Sequence, residues 1–241
     1  MPKVAVAQIE VFDEVDKNIQ KIVDFIERAS AENADIVCFP ESCLWDTNII
    51  FDTGSQKVKV IQDKCKEKSI YCIFGVHLEQ DGKVFNTAIL VNRLGEVQYV
   101  YKKTHPFPGL DLKQTVPGNE NKVIETDFGK IGIVICWDFA FQEDIKKLSK
   151  AGAQIIFCPA YLLNDAKISG EVFRSLPITR AFENLSYFVT CDAFTDETFS
   201  ESFICSPLKI LNEIKKREGI IFADLDLKEI DALRKMYNCL C

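Results

Sequence analysis

Three polar residues stand where an apolar stretch of the chain ends. Glu41 follows "DIVCFP", Lys103 follows "VQYVY" with one residue between, and Cys136 closes "KIGIVIC". A glutamate, a lysine and a cysteine make a chemically complete set for acyl transfer. The thiolate attacks a carbonyl-type carbon, and the lysine favours thiolate and then stabilises the oxyanion. The carboxylate takes the thiol proton and returns it to a leaving amine, work that is worth roughly 10²–10⁴-fold. Each residue also has a plainer reading. Glu41 could cap a helix after Pro40, Lys103 could be one of two solvated lysines at a strand end, and Cys136 could be core, since free cysteine is among the most buried residue types. Histidine, the usual base, occurs only at 77 and 105. His105, two residues past Lys103, is a rival base for Cys136; His77 in "FGVHLEQ" reads as a packed or hydrogen-bonded residue.

The three side chains can meet only if the elements carrying them end on one edge. The chain opens with "KVAVAQIE", whose alternation suits a strand, and residues 16–32 place Ile19, Ile22, Val23, Ile26 and Ala29 on one helical stripe. "ADIVCFPE" reads as a buried strand closed by Pro40. A helix over 55–69, with Val58, Ile61, Cys65 and Lys68 on one side, leads to the strand "IYCIFGV". Next come hairpins: Asp81-Gly82 marks one, and Arg93-Leu94-Gly95 joins "VFNTAILVN" to "EVQYVYK". After a Pro/Gly-rich loop from Thr104 to Asn121, "KVIET" and "KIGIVIC" flank the turn "DFGK". A helix near 142–152 ends at Gly152, "QIIFCPA" is a strand, a helix ends near Asn184, and "LSYFVTCDA" is the next strand. Helical crossovers in one part and hairpins in another predict an α/β four-layer α-β-β-α sandwich with two mixed β-sheets. No repeat, low-complexity segment or linker interrupts it, which predicts a single domain over 1–241. Crevices in α/β sheets gather at the carboxyl ends of strands, where all three residues lie.

Composition narrows the function classes. With 241 residues, 47% of them hydrophobic, the chain can bury a large core. A formal charge of -7, and no basic cluster beyond short runs such as Lys215-Lys216-Arg217, argue against a nucleic-acid partner. No apolar run approaches the roughly 18 residues a membrane span needs, and "MPKVAVAQIE" lacks the order of a secretory signal. A cytoplasmic protein with no membrane partner is expected. Ten scattered cysteines without C-x-x-C spacing read as thiols rather than a metal site, and Cys239 and Cys241 as a frayed tail.

At these residues the sequence resembles the nitrilase superfamily, the carbon–nitrogen hydrolases. "FPES" around Glu41, "YKKTHPF" around Lys103 and "GIVICWDFAF" around Cys136 are similar to its three catalytic signatures, in the family's order. "VAVAQIE", "FNTAILVNRLGEVQYVYKKTH", "PITRAFENLSYFV" and "EGIIFADLDL" are similar to further family segments, so the resemblance covers nearly the whole chain. It implies the α-β-β-α sandwich, Cys136 as nucleophile, Glu41 as general base and then acid, and Lys103 as stabiliser of the tetrahedral intermediate. The backbone N–H of Trp137 is implied as second oxyanion donor. A small-molecule amide would give an acyl-thioester and release ammonia or an amine, with no metal or organic cofactor. At least a homodimer is implied.

Two departures bear on substrate and assembly. The family usually carries a second Glu between the Lys signature and a Pro-Gly. Here "THPFPGLDLKQTV" offers only Asp111, a shorter carboxylate that needs a shifted loop to reach Lys103. After "TCDAF" the usual glycine-rich loop is replaced by "TDETFSESFICSPLKIL". Pocket walls are expected from Trp137, Tyr161, parts of 104–116 including His105, and parts of 193–201. An N-carbamoyl amine hydrolase, a nitrilase and a catalytically silent binding protein remain the alternatives to an amidase.

Overall fold

The computed structural model describes residues 1–44, 54–109, 111–164 and 167–237. The expectation for Cys239 and Cys241 lies outside these residues. One sheet carries β1 (Lys3–Gln8), β2 (Ile36–Cys38), β3 (Tyr71–Gln80), β4 (Lys83–Val91), β5 (Val97–Lys102) and the late β12 (Gly219–Asp224), in the order β12-β1-β2-β3-β4-β5. The other carries β6 (Ile124–Thr126), β7 (Gly129–Ile133), β8 (Ile155–Ala160), β9 (Tyr187–Asp192), β10 (Glu201–Cys205) and β11 (Ile210–Lys215), in the order β11-β10-β9-β8-β7-β6. In each, three central strands run parallel and the flanking ones antiparallel. The crossovers are α1 (Val15–Ala31) and α2 (Gln56–Lys68) on the first sheet, and α3 (Gln142–Lys150) and α4 (Gly170–Asn184) on the second; α5 (Leu227–Met236) follows β12.

The strand residues divide between two apolar layers with a period of two. Val4, Val6, Ile36, Cys38, Ile73, Ala88 and Leu90 pack against Ile131, Ile133 and Ile155 of the other sheet. Their neighbours Ala5, Ala7, Val37, Cys72, Phe74, Ile89 and Val91 pack beneath α1 and α2, against Ile19, Ile22, Ile26, Val58 and Ile61. Strands buried on both faces read as continuous apolar runs, which is why the sequence shows them so clearly. Asp81 (φ 54) and Gly82 (φ 70) form the expected two-residue turn, closing β3 onto β4 at the pair Gln80 and Lys83.

Two expectations are revised. The strand leading to Cys136 stops at Ile133, because Ile135 N–H turns to the Asp138 carboxylate at 2.9 Å. Beyond Ala193 the residue pattern names no elements, whereas the structure has β10, β11, β12 and α5; most of β11 and β12 is only half-buried, which weakens any alternation. No helix among the described residues is long and apolar enough to cross a membrane.

Candidate active site

Two antiparallel steps, β3 to β4 and β4 to β5, restore the direction of β3, so β5 runs the same way as β2. Glu41 and Lys103 therefore leave the first sheet at the same end. The turn bearing Glu41 is stitched across β3: Gly75 N–H donates to Pro40 O at 3.2 Å and Leu44 N–H to Gly75 O at 3.1 Å. A Cβ at Gly75 would lie 2.3 Å from Ser42 N and 2.7 Å from Glu41 Cα, so only glycine leaves space for that crossing. On β5's exit, Lys103 N–H donates to Asn86 O at 2.9 Å. Its buried ammonium donates to Glu41 Oε1 at 2.7 Å and to Asp111 Oδ2 at 2.6 Å. Asn86 Nδ2 also donates to Glu41 Oε1, at 2.7 Å. Asp111 opens a short 3₁₀ turn, and its Oδ2 accepts a further bond from Phe107 N–H at 2.9 Å. That turn brings the short carboxylate onto Lys103.

Cys136 opens a second 3₁₀ turn, Cys136–Ala140, with φ 45. A non-glycine residue in this left-handed region costs about 1–2 kcal/mol, so the surroundings must hold it there. Asp138, fully buried, does so with four accepted bonds: Ile135 N–H at 2.9 Å, Tyr101 hydroxyl at 2.8 Å, Thr104 hydroxyl at 3.1 Å and His105 N–H at 2.8 Å. One carboxylate thus ties the Cys136 turn to the segment that carries Lys103. From α4, Arg180 Nε donates to Phe139 O at 2.7 Å, holding the far end of the turn. The thiol itself points to Tyr161 O at 3.8 Å.

Burial dominates the electrostatics. It pushes the Cys136 thiol well above the ordinary 9.0; the charge of Glu41 adds to that, while Lys103 opposes it. Burial likewise lifts Glu41 above 4.5, with Lys103 pulling it down and Asp111 pushing it up. Burial alone would lower Lys103, but Glu41, Cys136 and Asp111 outweigh it and keep the ammonium charged above the ordinary 10.5. The resting group is a neutral thiol beside a paired carboxylate and a fixed cation. Attack on an acyl carbon from this state requires a proton to leave the sulfur.

Cys136, Glu41, Lys103, Asp111, Trp137 and Tyr161 line one cavity of about 590 Å³. The structure thus brings together every sequence-predicted residue except His105. The His105 ring lies outside the cavity, stacked on Phe141 at 3.6 Å between centroids and bonded through Nε2 to Asp144 at 2.7 Å. The physical reason is its backbone: the N–H is held by Asp138, which turns the side chain outward. His77 does line the cavity, bonded to Ser42 Oγ at 3.3 Å, and burial lowers it to about 4. Asn86, Asp138 and Gly75 are additions that the sequence reading missed. A further one is Asp192, whose carboxyl burial pushes up to about 8. It accepts bonds from Leu162 N–H at 2.9 Å and Ala193 N–H at 3.0 Å, bracing the wall that carries Tyr161.

A family model described as carbon-nitrogen hydrolase matches residues 3–235. Among curated proteins the chain is 31% identical to a nitrilase of Pyrococcus abyssi, over 99% of this chain and 97% of that one. It is 28% identical to the 2-oxoglutaramate amidase of Bacillus subtilis, over 91% of this chain and 88% of that one. Among solved structures it superposes on Saccharomyces cerevisiae Nit3, a member of branch 10 of the nitrilase superfamily, with a TM-score of 0.89 at 24% identity, covering 98% of this chain and 93% of that one.

Proposed function

The chain belongs to the carbon–nitrogen hydrolase family of the nitrilase superfamily, and on that footing we propose that it hydrolyses a small-molecule amide through an acyl-thioester on Cys136. The observation that carries this reading is the cavity in which the Lys103 ammonium, held between Glu41 and Asp111, faces the same space as the Cys136 thiol. Both bonds to Glu41 from Lys103 and Asn86 use Oε1, so Oε2 is the atom assigned to take the thiol proton. The sulfur attacks the amide carbon as that proton moves to Glu41. The developing oxyanion is met by the Lys103 ammonium and by the backbone N–H of Trp137, which lies in the first turn of a 3₁₀ helix and has no intrahelical acceptor. Glu41 then gives its proton to the nitrogen, the C–N bond breaks, and ammonia or an amine leaves. Water, deprotonated by the same carboxylate, attacks the thioester carbon; the C–S bond breaks, Glu41 returns that proton to the leaving sulfur, and the acid departs. Asp111 fixes Lys103 against this exchange.

The name of the Bacillus relative supports an amide ahead of an N-carbamoyl amine or a nitrile. The experiment is an ammonia-release screen over all three classes with Cys136→Ala alongside. Release from at least one amide, abolished by the substitution, is expected; undiminished release by Cys136→Ala would refute the nucleophile.

The same reading extends to the whole molecule as one domain over 1–241, cytoplasmic and at least homodimeric. The eight cysteines among the described residues are buried free thiols, which suits a reducing compartment. Phe141 and, on α4, Val172, Ile178 and Phe182 are exposed apolar side chains that suit pairing.

A further inference from the structure

We propose that the amide hydrolysed here bears a positive charge at the far end of its acyl chain, received by Asp13, Asp196 and Glu197. This rests on Cys136 being the nucleophile of the cavity. The cavity is lined by five carboxylates, Asp13, Glu41, Asp111, Asp196 and Glu197, against one ammonium, Lys103. Glu41 and Asp111 are both committed to that ammonium. Asp13, Asp196 and Glu197 have no ion-pair partner among the described residues. Residues 45–53, 110, 165–166 and 238–241 contain no lysine, arginine or histidine, so none of them supplies one.

Two lysines that follow Asp13 in the chain are already engaged. Lys17 and Lys21 sit over the Phe12 ring at 5.8 and 4.8 Å from its centroid, with Lys17 paired to Glu14 at 2.6 Å and Lys21 to Glu10 at 3.6 Å and to Glu218. What separates these three carboxylates from a solvated acidic surface is the nucleophile in the same cavity, and one residue gives the spacing. The Tyr161 carbonyl accepts from the Cys136 thiol at 3.8 Å, while its hydroxyl donates to Glu197 Oε2 at 3.4 Å. The distal charge therefore lies one tyrosine length from the sulfur. Asp196 and Glu197 are presented by a braced turn: Asn164 N–H donates to Glu197 O at 2.8 Å and Asn164 Nδ2 to Asp196 O at 2.9 Å. Phe12, Phe107 and Leu162 of the same lining suit the methylenes of a spacer. Asp13, Asp196 and Glu197 are exposed side chains, so solvent screens each of them, and it is their common sign along one cavity, rather than any single pair, that selects a cation and repels an anion.

Three isosteric probes share the frame X–(CH₂)₃–CONH₂: 4-aminobutanamide, pentanamide and glutaramate, with an ammonium, a methyl or a carboxylate at X. The expected order of kcat/KM is ammonium, methyl, carboxylate, with the first exceeding the last by about tenfold or more at low salt and the gap narrowing as ionic strength approaches about 1 M. The combined variant Asp13→Asn, Asp196→Asn, Glu197→Gln should collapse the ratio of 4-aminobutanamide to pentanamide. Because that ratio is taken within one protein preparation, loss of folded enzyme does not move it. Protection of Cys136 from iodoacetamide by each probe gives the same order without turnover. Hydrolysis of all three with no charge order, a preference for glutaramate, or a ratio untouched by the variant would overturn the cationic substrate while leaving the amidase reading standing. No hydrolysis and no protection by any probe would overturn both.

Discussion

At Cys136 two costs coincide: a left-handed backbone and a thiol that burial keeps protonated. Comparing Cys136→Gly with Cys136→Ala separates them. Both abolish turnover, but glycine relieves the backbone, so the Gly variant should be more stable than the Ala variant by up to about 1 kcal/mol in urea melts; the reverse order would mean that the turn is not strained. Glu41→Gln should lower kcat by roughly 10²–10⁴-fold with the fold intact by circular dichroism, the range for losing a general base. Asp111→Asn leaves the Lys103 ammonium one counter-charge short, and is expected to cost about 10–100-fold in kcat/KM through misplacement of that cation. Glu41, Lys103 and Cys136 stood out in the sequence because each follows an apolar stretch and lies in a segment that resembles a family signature, and the structure places all three on one cavity. Asp111 stood out only through the resemblance, as the sole acid where the family usually carries a second Glu before Pro117-Gly118. His105 misled because chain proximity to Lys103 says nothing of which way a ring turns once its N–H is held by Asp138 at 2.8 Å.

Among the elements, the Cys136 turn and the exit of β5 are held in register by Asp138. Asp138→Ala would strand the N–H groups of Ile135 and His105, so a loss of about 2–4 kcal/mol is expected, with kcat falling more than KM rises as the thiol moves off its aim. A variant with lowered stability and unchanged kcat would make Asp138 a merely structural residue. Gly75→Ala acts on the other side of the site. The added methyl meets the backbone of Glu41 and Ser42, and the expected result is a loss of about 1–3 kcal/mol from overpacking with a disproportionate fall in kcat. Neither residue was visible beforehand. Asp138 in "CWDFAF" looks like one more acid after a strand, and Gly75 looks like a weak point inside one; their roles come largely from contacts 31 or more residues away in the chain. The two-sided apolar strands and the α1 stripe were legible because burial on both faces, or along one stripe, leaves a pattern in the sequence itself. The half-buried β11 and β12 leave almost none.

For the molecule as a whole, pairing the two sheets puts the carboxylate and cation of one beside the thiol of the other, and the pH dependence of turnover should report it. In the proposed mechanism Glu41 works as a carboxylate, and burial raises its pKa above 4.5. As pH falls through that raised value the base is protonated and lost, so the acid limb of kcat/KM should have its midpoint above 4.5, and Glu41→Gln should flatten what activity remains. A limb centred below 4.5 would place the base elsewhere. The layered architecture was legible from the alternation of crossovers and hairpins; the size and charge of the cavity were not, because its walls come mainly from loops after β1, β2, β5, β7, β8 and β9 that only the packed sheets bring together. The central claim is that hydrolysis passes through a covalent acyl group on Cys136. Mass spectrometry of the protein quenched during turnover of a slowly hydrolysed amide tests it most directly. The account predicts an added acyl mass on the peptide containing Cys136, chased away by time and absent in Cys136→Ala. Steady turnover with that peptide never modified, or with the acyl group on another residue, would contradict it.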